Sequence, residues 1–75
     1  MADINFDKMI WEGWTVGDFI DELSPMIEMV MSGNSWQPPL ANFEELKQWC
    51  IDNQPYYKEY IPEVVQYFAE QYNIY

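Results

Sequence analysis

The sequence predicts an all-α fold, a compact miniature bundle of three to four short helices, on three observations. Apolar residues recur at helical spacing along most of the chain. Two stretches open with capping-box chemistry. No pair of alternating strand runs joined by a turn dipeptide stands out. A small β element at residues 2–11 is the expected exception, and residues 1–75 are read as one small helical domain.

The first segment, Asn5 to Gly13, reads as a short helix capped by Asn5, with Asp7 in its first turn and Gly13 at the left-handed C′ position. A strand through Ile10 and Trp11 is the competing reading. Thr15 and Asp18 then form a capping-box pair. They open an amphipathic helix whose stripe is Val16, Phe19, Ile20, Leu23, Ile27, Val30 and Met31. Pro25 lies inside this stripe without changing its phase, which predicts a kink or a restart at Ser24-Pro25. Gly33 ends the run. The stretch to Ala41, with Trp36 and Pro38-Pro39, has no periodicity and reads as a stiff loop. Asn42 to Glu45 is the second capping box, opening a helix through Leu46, Trp49 and Cys50 to about Asn53. A last helical stretch begins at Pro55, capped by Asn53 or Gln54. Its stripe is Tyr57, Ile61, Val64, Phe68, Tyr72 and Tyr75, with a break near Tyr60 and a restart at Pro62.

Composition bounds the function. Thirteen carboxylates face three lysines, with no arginine and no histidine, for a formal charge of -10. Such a charge destabilises a compact state through self-repulsion, which a basic partner would relieve. Direct contact with nucleic acid is disfavoured, because three scattered lysines make no phosphate-binding surface. A lone cysteine forms no internal disulfide, and with no histidine the usual zinc ligand sets are missing. A chain this small buries only about 60% of its unfolded surface, so its four tryptophans, six tyrosines and four phenylalanines must supply much of the core. The acidic start lacks the apolar run of a secretory signal, and no stretch reaches the roughly 20 apolar residues of a membrane span. A cytoplasmic protein is expected, in the host cell if phage-encoded, without membrane association and as a monomer or small homo-oligomer.

Catalysis finds little support. The commonest general base is missing, Cys50 has no histidine beside it and reads as a small buried hydrophobe, and no glycine-rich phosphate loop is present. No cofactor is expected, and the acids match no calcium-loop pattern.

The sharper feature is how the acids are arrayed. Asp18, Asp21, Glu22 and Glu28 fall opposite the apolar stripe of the first long helix. Residues three or four apart on a helix lie about 5–6 Å from one another, a pitch comparable with the roughly 3.4 Å between charges along one nucleic-acid strand. Glu44, Glu45 and Asp52 form a second row, and Glu59, Glu63 and Glu70 a third. Each row alone would serve as a solvated face; the scarcity of interspersed lysine carries the inference.

The aromatics divide similarly. Phe19, Phe43, Trp49 and Phe68 sit on apolar stripes and read as core. Trp11, Trp14 and Trp36 flank turns, and Tyr56, Tyr60 and Tyr67 lie toward polar faces, where tyrosine is a frequent anchor of interfaces. Met26, Met29 and Met31 read as core filler or, with Trp36, as an adaptable apolar patch. Trp36, Tyr56 and Tyr67 therefore join the ten carboxylates as candidate contacts.

In size, acidity, aromatic content and lack of a catalytic set, the chain resembles the small acidic proteins that phages direct against host nucleic-acid machinery: DNA mimics, anti-restriction proteins and many anti-CRISPR proteins. The resemblance is one of composition along the whole chain and involves no motif, so no residue roles come with it. It implies a protein-binding inhibitor that occupies the basic groove of a nucleic-acid-binding protein. Two readings compete: a regulatory adaptor docking an aromatic patch, and a self-associating phage structural or accessory protein.

Overall fold

The computed structural model of the chain describes residues 4–75 and orders them as β1 (Met9–Trp11), β2 (Trp14–Thr15), α1 (Val16–Met31), α2 (Phe43–Asn53) and α3 (Pro62–Tyr72). The fold is thus broadly helical and small. It departs from an all-α bundle in carrying an antiparallel hairpin, and residues 2 and 3 of the expected β element lie outside the described residues.

The helix expected over residues 5–13 is replaced by this hairpin. Asn5 caps only a turn: its side chain accepts the Asp7 N–H at 3.0 Å and its carbonyl the Lys8 N–H at 3.2 Å. Glu12 and Gly13 both have positive φ, 30° and 87°, the requirement of a two-residue type I′ connection whose twist matches its strands. Gly13 takes the left-handed conformation expected of it, but inside a hairpin turn. Trp11 pairs with Trp14 and Met9 with Thr15, leaving Ile10 as the extra residue of a bulge.

The hairpin segment meets the start of α1 through backbone. The Lys8 carbonyl accepts the Val16 N–H at 3.0 Å and the Phe6 carbonyl the Gly17 N–H at 2.8 Å. Thr15 and Asp18 complete the expected capping box, so the first-turn donors, which have no intrahelical acceptor, are satisfied. Gly17 eases the approach, since a Cβ there would sit 3.1 Å from the Phe6 carbonyl oxygen, a tight contact that would push against it.

The stripe of α1 is buried as the spacing predicts, except for Met31, which is only partly covered. No restart occurs at Pro25. The proline sits on the solvent face, where the carbonyl it leaves without a donor can be reached by water, and α1 continues as one helix. Its end is a Schellman motif: the Asn34 N–H reaches the Met29 carbonyl at 3.0 Å and the Gly33 N–H the Val30 carbonyl at 3.3 Å, with Gly33 at φ 82°.

Asn42 caps α2 as expected, accepting the Glu45 N–H at 3.0 Å, while Glu45 reaches back to the Ala41 N–H at 3.1 Å. The helix expected from Pro55 does not form before Pro62. Each proline disfavours helical geometry in the residue before it. Gln54 is accordingly extended and ends α2, and Ile61 is extended and precedes α3. The intervening segment is organised by Gln54, whose buried side-chain amide donates to the Tyr57 carbonyl and, at 2.7 Å, to that of Glu59. Gln54→Leu keeps the volume and removes both donors. A loss of about 1–3 kcal/mol is expected, read as a lower urea midpoint at unchanged m-value.

α3 starts at Pro62 without a side-chain cap and stops at Asn73, at φ 54°. It packs against both α1 and α2, and the Tyr75 carbonyl accepts the first N–H of α2, from Phe43, at 2.7 Å. Phe19, Trp49 and Phe68 are core as expected. Phe43 is half-buried, and Tyr75 lies off the buried stripe and is exposed, because the chain leaves the helix at Asn73. Leu40, Ile61 and Ile74, all outside the helices, complete the core.

Candidate functional site

α1 presents Asp18, Asp21, Glu22 and Glu28 to solvent opposite its buried stripe, and it contains no basic residue. Asp18 has a second duty: its carboxylate accepts the Thr15 N–H at 2.9 Å in the capping box. Asp21, Glu22 and Glu28 carry no such structural bond, and the three form an acidic face around the exposed Pro25.

On α2, Glu44, Glu45 and Asp52 are all exposed, but they do not form one row. Glu45 and Asp52 lie two turns apart on a common face with Gln48, whose amide donates to Asp52 at 2.9 Å; Glu44 is turned aside. The third row also dissolves in part. Glu59 falls in the connection before α3, where it accepts the Tyr57 hydroxyl at 3.2 Å. Glu63 and Glu70 share the outer face of α3, both half-buried, and Glu63 is paired with Lys8 at 2.5 Å. That bond holds the Glu63 carboxyl below its usual range. Its stabilising contribution is therefore present above the ordinary carboxylate pKa and is lost as the pH falls through the lowered one.

The lysines are all engaged within the fold. Lys8 holds Glu63, Lys58 donates to the carbonyls of Asp52 and Gln54 at the end of α2, and Lys47 lies 4.8 Å above the ring of Tyr60. Positive charge is thus placed at the hairpin, at the C-terminus of α2 and beside Tyr60, with none on α1 itself.

Of the aromatic candidates, Trp36 is fully exposed in the loop after α1. Tyr56, held at φ 63°, is also exposed, but its ring stacks on Trp11 at 5.9 Å and leans on Trp14 at 5.8 Å. With Trp14 against Phe19 at 5.2 Å, this set covers one end of the core. Tyr67 is half-buried between Phe6 and Phe68. Neighbouring Glu59 raises the pKa of Tyr57, and burial beside Glu28 and Tyr67 raises that of Tyr72. Both phenols stay neutral through the physiological range. Cys50 is buried as expected, its thiol pushed up from 9.0 to about 12.

The methionines separate. Met31 packs against the core, while Met26 and Met29 are exposed on the side of α1 facing the loop. There they line a groove of about 220 Å³ floored by Trp49 and flanked by Ser35 and Gln37. A second groove of about 280 Å³ shares Gln37, Trp49 and Asn53 with it and extends along the Glu45 and Asp52 face of α2. Sequence reading placed Trp49 in the core, where it lies, gave Asn53 only a capping role and gave Gln37 none. No local pattern marks residues from three segments as walls of one groove.

Among the described residues, no helix is long and apolar enough to cross a membrane, and no three potential metal ligands gather. Compared with protein-family models, with curated proteins and with solved structures, the chain has no match.

Proposed function

We propose that this protein is an inhibitor of phage anti-defence type, of the anti-CRISPR or anti-restriction kind, that occupies a basic nucleic-acid-binding surface of a host enzyme or effector complex in place of DNA or RNA. The observation that carries the reading is the α1 face: four exposed carboxylates, no cation on the helix, and every lysine of the chain engaged elsewhere. Such a face acts on a partner as a short run of phosphates does. It steers association through long-range attraction and excludes the nucleic acid that would bind there. The role requires no catalysis, and the inert buried thiol supplies none.

Trp36 favours a second contribution. A tryptophan without covering neighbours suits apolar docking, as the adaptor reading requires.

The test is capture on the immobilised protein from nuclease-treated host lysate, followed by elution with rising salt and mass spectrometry. A purified partner then competes against added duplex DNA or RNA. A nucleic-acid-binding protein released at moderate salt and displaced by nucleic acid is the expected result. A partner retained through high salt and indifferent to nucleic acid would replace mimicry with the adaptor.

A further inference from the structure

We infer that the joined grooves beneath the 33–41 loop form a second contact site, which takes an extended segment of the partner bearing an arginine or lysine close to a bulky apolar side chain. The inference rests on the mimic reading for the partner's positive charge, but it uses different residues.

Two chemistries meet along this surface. At one end Met26 and Met29 are exposed beside the floor formed by Trp49, and Trp36 stands between two wall residues with its indole in solvent. Thioether and indole together make an adaptable apolar seat. At the other end Glu45 and Asp52 share one face of α2. Glu45 uses Oε1 for the Ala41 N–H and Asp52 uses Oδ1 for Gln48, so Oε2 and Oδ2 remain for a ligand. No lysine lines either groove. In the middle Asn53 donates its amide to the Trp49 carbonyl at 2.8 Å, leaving its side-chain oxygen to accept from a peptide N–H.

Charge complementarity selects the occupant. An acidic peptide would be repelled by Glu45 and Asp52, and a purely basic one would leave the methionines and Trp36 wet. A basic residue near an apolar one satisfies both ends. The site would lower the rate of partner release, whereas the α1 face raises the rate of encounter.

The test titrates the full ¹⁵N-labelled chain with a short synthetic peptide alternating arginine and leucine. Arginine–serine and glutamate–leucine peptides serve as controls. The expected result is saturable shifts of the Trp36 and Trp49 indole N–H and the Gln37 and Asn53 side-chain amides with the first peptide. Met26→Ser with Met29→Ser should weaken that binding about tenfold. Asp7→Asn, in the turn before β1 and outside both grooves, should leave it within about twofold. Equal shifts with the arginine–serine peptide, shifts centred on Asp21 and Glu28, or shifts that grow with protein concentration alone would each overturn the inference. The last would place a second copy of the chain in the groove. Salt-sensitive capture with no groove shifts would sink this site and leave mimicry standing. Groove binding without such capture would do the reverse.

Discussion

Reversing Asp21, Glu22 and Glu28 together to lysine is expected to weaken partner binding at least about hundredfold while the fold persists. Exposed ion pairs contribute up to about 1 kcal/mol each, and like charges placed against a basic groove add a penalty of their own, so three reversals exceed the roughly 2.8 kcal/mol that hundredfold represents. The three residues are exposed and free of structural bonds. Asp18 is left intact because its carboxylate closes the capping box, and a lysine there would oppose the helix dipole and cost about 1 kcal/mol or more of stability. Far-UV circular dichroism and the melting temperature should therefore stay near the parent's, or rise slightly as self-repulsion falls. The corresponding amides, Asp21→Asn with Glu22→Gln and Glu28→Gln, should give an intermediate loss and a shallower dependence of affinity on salt. Undiminished binding by the folded triple reversal would end the mimic reading for α1.

Phe68→Ala is expected to unfold much of the population at 37 °C. Phe68 is among the largest fully buried side chains, at 1% exposure, and lies where α3 meets the rest of the core. Removing a buried phenylalanine costs about 3–5 kcal/mol, against roughly 4–11 kcal/mol for the whole stability of a chain this long. The melting temperature should fall by on the order of 20 °C, followed by circular dichroism. A fall under about 5 °C would mean that the packing around Phe68 is not as described.

How much was legible follows from the range of each interaction. The capping boxes at Thr15 and Asn42, the buried stripe of α1 and the stop at Gly33 all rest on contacts within about one or two turns, so residue types at fixed spacing announce them. The strand through Ile10 and Trp11 was announced only as the competing reading and as a small β element, and its pairing with Trp14 and Thr15 was not announced. Glu12-Gly13 is a weaker turn dipeptide than Asn-Gly, and Asn5 with Gly13 reads equally well as the two ends of a helix. What decided between them was the Phe6 and Lys8 carbonyls meeting the first turn of α1, an approach that Gly17 eases. The helix expected after Pro55 failed for a similar reason. Its apolar spacing was suitable, but a buried Gln54 amide and two prolines favour an irregular connection.

The candidate site divides the same way. That α1 carries an acidic face opposite its apolar stripe was determined by the sequence alone, since both faces belong to one helix of constant period. That each lysine is engaged by a partner within the fold, that Glu63 is paired with a residue 55 positions away, that Tyr56 closes on Trp11 while Trp36 stands free, and that Met26 shares a groove with residues of α2 were decided only by the tertiary structure. Periodicity reports which way a side chain faces along its own helix. Which distant residue it meets depends on how the helices pack, and that is set by the shape of the whole core.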